Sequence, residues 1–333
     1  MKDLKEIQQF FFQQIKDKLP PHLSLVDEIA EKLGLSYDSA YRRMRGEKSL
    51  SFEEVMQLAS HFSISLDSLG GIASDTISFR YRTINDKTFT FTDYLQAIDN
   101  NLTQILKIPG AEMFYAAKDT PLFHHFNMKE LSAFKIFAWE KTILGFEKME
   151  NRRFRLDECD YSQVDLGRQG LLKYMQVPSV EIWNDETINS TIRQIDFYHE
   201  SGLFIKKEEA GLIVDQLLEW LLHMQKQAEV GYKFLYGTEP QGKEGNYQLY
   251  NNEVILCDNT VLVDSGTVKT AFITHNAMNY MVSSNVDFCD VTYKWLRNLM
   301  KRSTLISSVS EKQRNRFFRV ITDRVQQLKT RVS

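Results

Sequence analysis

The stretch Leu25–Gly46, LVDEIAEKLGLSYDSAYRRMRG, limits what this chain can fold into more than any other. Val26, Ile29, Ala30 and Leu33 recur at helical spacing, so Leu25–Leu33 is expected to be a short amphipathic helix. Gly34 ends it, because glycine takes the positive φ that a sharp turn needs at no steric cost. Leu35 dips back toward the core. Ser36 can cap a second helix, Tyr37–Arg45, by accepting from its first free amides, and Gly46 stops that helix. The small side chain of Ala30 lets the two helices cross closely. Upstream, residues 4–19 carry the stripe Ile7, Phe10, Phe11 and Ile15, ended by Pro20-Pro21. Phe12 adds apolar surface there, readable as core or as a contact to a partner subunit. Downstream, Ser51 with Glu54 forms a capping box for a helix over Glu53–Phe62, whose Val55, Leu58, Ala59 and Phe62 pack inward.

Ala30, the turn Gly34-Leu35-Ser36, Gly46, the amphipathic Phe52–Phe62 and the closing run Ile64-Ser65-Leu66-Asp67-Ser68-Leu69 have a combined meaning. With them, residues 22–69 resemble the helix-turn-helix of the XRE/Cro/phage-repressor class. The resemblance covers about the first fifth of the chain. It implies that the helix after the turn lies in the major groove of double-stranded DNA. The residues it carries over are Ser36, Tyr37, Asp38, Ser39, Tyr41 and Arg42, with Arg43, Arg45 and Lys48 extending a positive patch past the helix end. Arginine suits base reading because its planar fork can bond two acceptors of guanine at once. Asp38 could accept from a cytosine amine or hold Arg42 by an i,i+4 pair. The chain departs from the class at Arg43, where an aliphatic residue is usual, and at Met44, where Glu is common. The inward stripe is then expected to be Ala40, Tyr41 and Met44. The class further implies a homodimer reading a near-palindrome, with its two recognition helices about one DNA turn (~34 Å) apart. The other reading is a helix-turn-helix used for protein contact, with Arg42, Arg43 and Arg45 as a solvated face.

Charge makes any such contact local. The 333-residue chain carries a net charge of −3 and its N-terminal part is slightly acidic, so nucleic-acid affinity must come from a patch and depends on dimerisation. The three cysteines, Cys159, Cys257 and Cys289, form no CxxC and have no histidine at metal-ligand spacing, which reads as free thiols in a reducing cytoplasm. The N-terminus is charged throughout and is not expected to be a signal peptide, and no apolar window approaches the ~18 residues of a membrane span.

Gly70-Gly71 is the expected boundary between a helix-turn-helix domain, 1–71, and a regulatory or dimerisation domain, 72–333, with a further break considered near 180–230. After it, Ile77–Ile84 and Thr88–Thr92 alternate with period two around Asn85-Asp86-Lys87 and read as a β-hairpin. Helices are expected over Thr92–Lys107, Lys129–Gly145, Gln163–Met175, Thr187–Tyr198, Lys206–Val230, Asp287–Lys301 and Ser310–Lys329, with a strand at Glu112–Ala117. Between Tyr232 and Ser284, short runs at Lys233–Tyr236, Tyr247–Tyr250, Val254–Cys257, Val261–Val263 and Lys269–Thr274 suggest a small antiparallel meander. The expected class is therefore helix-rich α+β: an all-α N-terminal domain and a larger α+β domain with a small antiparallel sheet.

No catalytic motif stands out. Gly237-Thr-Glu-Pro-Gln-Gly242-Lys243 matches the start of a phosphate-binding loop, but Glu244 replaces the magnesium-binding Ser or Thr and no helix follows, so a surface loop is expected. No histidine sits with a carboxylate at useful spacing, and His124-His125 is expected to be a half-buried turn rather than a metal site. Cys289 reads as a buried structural thiol. No enzyme, cofactor or metal is expected. The C-terminal helices are rich in Lys and Arg, and Lys301, Arg302, Arg314 and Arg316 are candidates for binding an anionic effector. A solvated face balancing acidic charge elsewhere is the favoured reading of them, with an anionic effector or the DNA backbone as the others. The dense aromatics, among them Phe134, Phe137, Trp139, Trp183, Phe197, Tyr198, Phe204 and Trp220, read as core or as the wall of an apolar ligand pocket. The expected function is a cytoplasmic transcription regulator that binds DNA as a dimer, or else a ligand-sensing or protein-interaction module that does not touch DNA.

Overall fold

A computed structural model describes residues 3–16, 19–20, 23–62, 64, 66, 77–242, 245–254, 256, 258–276 and 278–333. The chain divides into two compact units, Met1–Ser78 and Phe79–Ser333. The expected boundary Gly70-Gly71, most of the run Ile64–Leu69, and Cys257 lie outside the described residues.

In the smaller unit four helices share one core: α1 (Leu4–Lys16), α2 (Leu25–Leu33), α3 (Tyr37–Met44) and α4 (Phe52–His61). Gly34 takes φ 61°, and the Leu35 amide returns to the Ala30 carbonyl at 2.9 Å, closing α2 and turning the chain into α3. The Ser36 side chain accepts from the Ser39 amide to start α3. Both halves of the Ser51–Glu54 capping box form and start α4. Phe11, Phe12 and Ile15 are buried, whereas Phe10 is 43% exposed, so Phe12 rather than Phe10 is the core aromatic. The inward stripe of α3 also differs from expectation: Ala40 and Arg43 are buried, and Tyr41 is 44% exposed.

The larger unit is built on an eight-stranded mixed sheet in the order β1-β7-β6-β5-β2-β3-β4-β8. The strands are β1 (Arg80–Tyr81), β2 (Glu112–Ala117), β3 (Ser179–Trp183), β4 (Tyr247–Asn251), β5 (Thr260–Asp264), β6 (Lys269–His275), β7 (Asn279–Ser283) and β8 (Thr304–Leu305). This corrects the small antiparallel sheet. β2 pairs parallel with β3, and β3 with β4, while the remaining pairs are antiparallel. Parallel neighbours need crossovers. One carries α6 (Leu122–His125), α7 (Lys129–Ala138, running into a π-helical turn, Trp139–Ile143) and α8 (Tyr161–Tyr174); the other carries α9 (Asn189–Glu200) and α10 (Glu208–Val230). α5 (Phe91–Leu106) precedes β2, and α11 (Val286–Lys301) and α12 (Glu311–Val332) close the chain.

The two faces of the sheet have separate cores. Met113, Tyr115, Val261 and Val263 point to the main core with the aromatics of α7 to α10 and the inner face of α12. Phe114, Ala116, Val180, Ile182 and Leu262 point the other way, against Cys289, Leu296 and Met300 of α11. A sheet covered on both faces has strands without polar alternation, and β3 is buried along its whole length.

Among the described residues, two expected strands are absent. The hairpin does not form, because Thr90 and Asp93 make a capping box that starts α5 at Phe91 and takes the residues a second strand would use. Only the turn survives, as an Asn85–Phe89 bridge with the Asn85 side chain accepting from the Lys87 and Thr88 amides. β1 pairs instead with β7 at the sheet edge. Lys233–Tyr236 is irregular, its apolar residues used in packing, and Val254–Cys257 lies partly outside the described residues.

Candidate functional site

α3 is held from behind. The Arg43 guanidinium meets the Glu54 carboxylate at 2.8 Å and 3.2 Å and donates to the Ser39 carbonyl at 3.2 Å. Glu54 also accepts from the Ser51 amide, so one carboxylate starts α4 and locks α3 to it. Burial raises the Glu54 carboxyl, but Arg43 and the Ser51 amide outweigh that and hold it below its ordinary value. From α1, Gln8 donates to the carbonyls of Arg43 (2.7 Å) and Lys48 (2.8 Å) and accepts from the Leu50 amide (3.0 Å). The position, rotation and following loop of α3 are thereby fixed from behind by buried Arg43 and half-buried Gln8 and Glu54.

The outward face carries Ser36, Tyr37, Asp38, Tyr41 and Arg42, with Ser39 half-buried and Arg45 and Lys48 exposed beyond the helix. The Tyr37 and Tyr41 rings lie parallel, 6.3 Å apart, and Arg45 sits 5.7 Å from the Tyr41 ring centre. Arg43 does not extend this face: it is 5% exposed and bound to Glu54, which removes it from the expected positive patch. Arg42 does not pair with Asp38. It approaches Glu47 at 3.8 Å, and Arg45 approaches the same carboxylate at 3.4 Å.

The candidate effector arginines divide likewise. Lys301, Arg302 and Arg316 are exposed. Arg314 is 6% exposed and donates to the carbonyls of Ile306 (3.2 Å) and Val309 (3.0 Å), so it ties down the loop before α12 rather than meeting an external anion. Further along α12, Arg324, Lys329 and Arg331 pair with Asp185, Asp215 and Asp196. Much of the basic character there is answered by acids on the preceding crossover.

A buried polar cluster has no counterpart in the sequence reading. Glu181, in the middle of β3 and fully buried, lies 2.7 Å from His124 Nε2 and accepts from the Tyr174 hydroxyl, from Trp183 Nε1 (2.8 Å) and from the Tyr247 hydroxyl (3.1 Å). Burial alone would raise its carboxyl, but His124, Tyr174 and Lys233 more than offset that and hold it below the ordinary value. His124 and His125 are therefore buried rather than half-buried, and His124 does sit beside a carboxylate, 57 residues away in sequence. Lys233 completes the cluster through the Val177 carbonyl (2.7 Å) and the Ser179 hydroxyl, and its burial brings its pKa down to about 7. Every member is sealed from solvent, and the cluster has the character of a core network in which the Glu181 carboxylate is fully bonded while His124 Nδ1 is buried without a partner.

Among the described residues no group of His, Cys, Asp and Glu could hold a metal ion, and no helix is long and apolar enough to cross a membrane. The loop from Gly237 leads to no helix, and Lys243 and Glu244 lie outside the described residues. Cys159 and Cys289 are free, and burial pushes the Cys159 thiol up to about 12. Of the aromatics singled out from sequence, Phe197 is exposed, Trp139 lines a small cavity, and the others are core. Comparison with known protein families, curated proteins and solved structures finds no match for the chain.

Proposed function

We propose that this chain is a sequence-specific regulator of transcription that binds double-stranded DNA through α3, while the larger unit dimerises and senses an effector. The observation that carries the reading is the division of labour on α3. Arg43 is spent on Glu54 behind the helix, whereas Tyr37, Asp38, Tyr41 and Arg42 stand outward with no part in the core. A recognition helix needs both properties, a rigid back and a polar, aromatic and basic front. The step from DNA binding to transcription rests on the resemblance to the XRE/Cro/phage-repressor class. In a dimer, an effector that changes the arrangement of subunits would alter the spacing of the two α3 helices and so the affinity for a near-palindrome.

The test is selection of DNA sequences by the intact protein, followed by titration of the enriched site at several salt concentrations. Arg42→Ala is expected to weaken binding to that site by about 1–3 kcal/mol with the fold intact. Unchanged affinity would mean that this face does not read bases.

A second reading, a protein-interaction module, draws support from Glu47. That carboxylate lies within ion-pair distance of both Arg42 and Arg45 and reduces the positive potential at the end of α3. Absence of any enriched sequence and of salt-sensitive binding would favour it.

A further inference from the structure

A cavity of about 430 Å³ opens in the larger unit between α5 and the sheet. It falls within the ~300–1,000 Å³ of small-molecule sites. Its floor is one face of four strands, where Met113 and Tyr115 of β2 stand in register with Val263 and Val261 of β5, and Phe272 of β6 lies between Val261 and Val282 of β7. Its roof is the Ala97, Ile98 and Ile105 side of α5. The interior is thus mostly aliphatic and aromatic.

Its two ends differ. At the inner end, Tyr94, Tyr115 and Tyr280 line both this cavity and a smaller one of about 140 Å³ around Lys135 and His125, their hydroxyls near enough to influence one another. Burial raises all three phenols above their ordinary value, so they are neutral and the inner end offers no charge. At the outer end stand Arg80 and Arg82, both exposed. Some arginines of the unit have carboxylate partners, as with Arg155–Asp157, Arg324–Asp185 and Arg331–Asp196, whereas others, Arg302 and Arg316 among them, have no carboxylate within 4.0 Å among the described residues. Among the described residues no carboxylate lies within 4.0 Å of Arg80 or Arg82. Asp93, which feels the charge of Arg82, is committed to capping α5 through Thr90. The Arg82 guanidinium is braced 3.9 Å from the Phe89 ring centre, and its backbone carbonyl is held by Asn279.

We propose that this cavity binds an amphipathic organic anion, its apolar body between α5 and the sheet and its carboxylate or sulfate-type head at Arg80 and Arg82. Paired guanidinium forks at the mouth of an apolar slot suit such a head, because charge-assisted bonds to a planar fork are the strong ones. The ligand would also touch β1, the first strand of the unit, which is held at the sheet edge by its pairing with β7 and by Tyr81 against His275 of β6. This names an effector class for the regulator proposed above, and it rests on that reading only for what occupancy does to DNA binding.

The test is calorimetric titration of the full chain with decanoate, decyl sulfate and decan-1-ol below their aggregation limits. Saturable binding of both anions at one site per chain is expected, about tenfold tighter than the alcohol (about 1.4 kcal/mol). Arg80→Gln with Arg82→Gln should remove that preference and leave the alcohol unchanged. Ala97→Phe fills the cavity from α5 and should weaken all three by at least about tenfold. If that variant does not fold, Ile105→Trp fills the same space from a half-buried position. No saturable binding, binding untouched by the filled cavity, or an alcohol as tight as the anions would each overturn the proposal. DNA binding without decanoate binding removes this site and leaves the regulator reading. Decanoate binding without DNA binding does the reverse.

Discussion

Two neighbouring arginines on one short helix do different work. Arg42 is more than half exposed, whereas the Arg43 side chain is 6% exposed with its charge on Glu54. Removing one partner of such a pair leaves the other charge under-solvated, which typically costs ~3–5 kcal/mol for a fully buried pair. Glu54 keeps some access to water, so Arg43→Ala is expected to destabilise the smaller unit by about 3 kcal/mol, the lower end of that range. Far-UV circular dichroism during denaturation follows this loss. DNA affinity at low temperature, where the unit is still folded, should change far less than in Arg42→Ala. A variant as stable as the parent would show that the ion pair contributes nothing. The sequence makes the Ser51–Glu54 capping box legible, because both halves sit three residues apart. It does not reveal that the same carboxylate reaches back to Arg43. That contact depends on the crossing of α3 and α4, which no local pattern encodes, and so Arg43 reads as one more surface charge.

At the scale of elements, β3 and α8 show where local reading stops. Six of the seven helices expected in the larger unit match observed helices to within three residues at each end, because their caps and periodicity are local; the seventh, Lys129–Gly145, ends as a helix at Ala138 and gives way to a π-helical turn. β3, the strand at the centre of the parallel set, escapes notice because Glu181 interrupts its apolar run. That carboxylate is tolerated there only because His124, Tyr174, Trp183 and Tyr247 converge on it from other elements. With β3 unseen, the sheet reads as a small meander instead of a mixed sheet with two crossovers. α8 carries a testable counterpart, a pair of glycines three residues apart in one helix. A Cβ on Gly167 would lie 2.1 Å from the buried Phe126 ring, while one on Gly170 would meet nothing within 4 Å. Gly167→Ala should overpack the contact between α8 and the segment after α6 and cost ~1–3 kcal/mol. Gly170→Ala should stabilise by ~0.4–1 kcal/mol, through the smaller entropy of its unfolded chain. Denaturant midpoints followed by tryptophan fluorescence compare the two, and equal shifts would refute the packing argument.

For the molecule as a whole, the two units can be followed separately, because all four tryptophans (Trp139, Trp183, Trp220 and Trp295) belong to the larger one. That unit buries an unusual set of bases. Burial brings Lys135 and Lys233 down to about 7 from 10.5, and His223 down to about 4 from 6.5. Around Lys135 stand His125, itself held well below its ordinary value by burial, and Asp119, which acts the other way. Around Lys233 stand Glu181, Tyr174 and Tyr247. For each lysine the unfolded chain keeps a proton that the folded unit releases between about pH 7 and 10.5, so stability rises with pH across that window. Each lysine contributes up to about 1.4 kcal/mol per pH unit to the slope. Buried thiols and phenols set the upper limit. Cys159 is raised to about 12 from 9, and Tyr94, Tyr115, Tyr174 and Tyr247 are raised well above 10, so above pH 9 to 10 the unfolded chain ionises first and stability falls again. The larger unit should therefore be most stable near pH 9, well above the range where most proteins peak. Lys135→Met should flatten the rise between pH 7 and 9 by one lysine's share, while Arg324→Gln, which removes a half-buried guanidinium bonded to Asp185 and Asn189, should lower stability but leave the slope unchanged. Tryptophan-detected denaturation of the full chain at pH 7, 8 and 9 measures both slopes. A parent curve that is flat or falling over that interval would mean that Lys135 and Lys233 stay protonated in the folded unit, paired more strongly than their buried surroundings indicate.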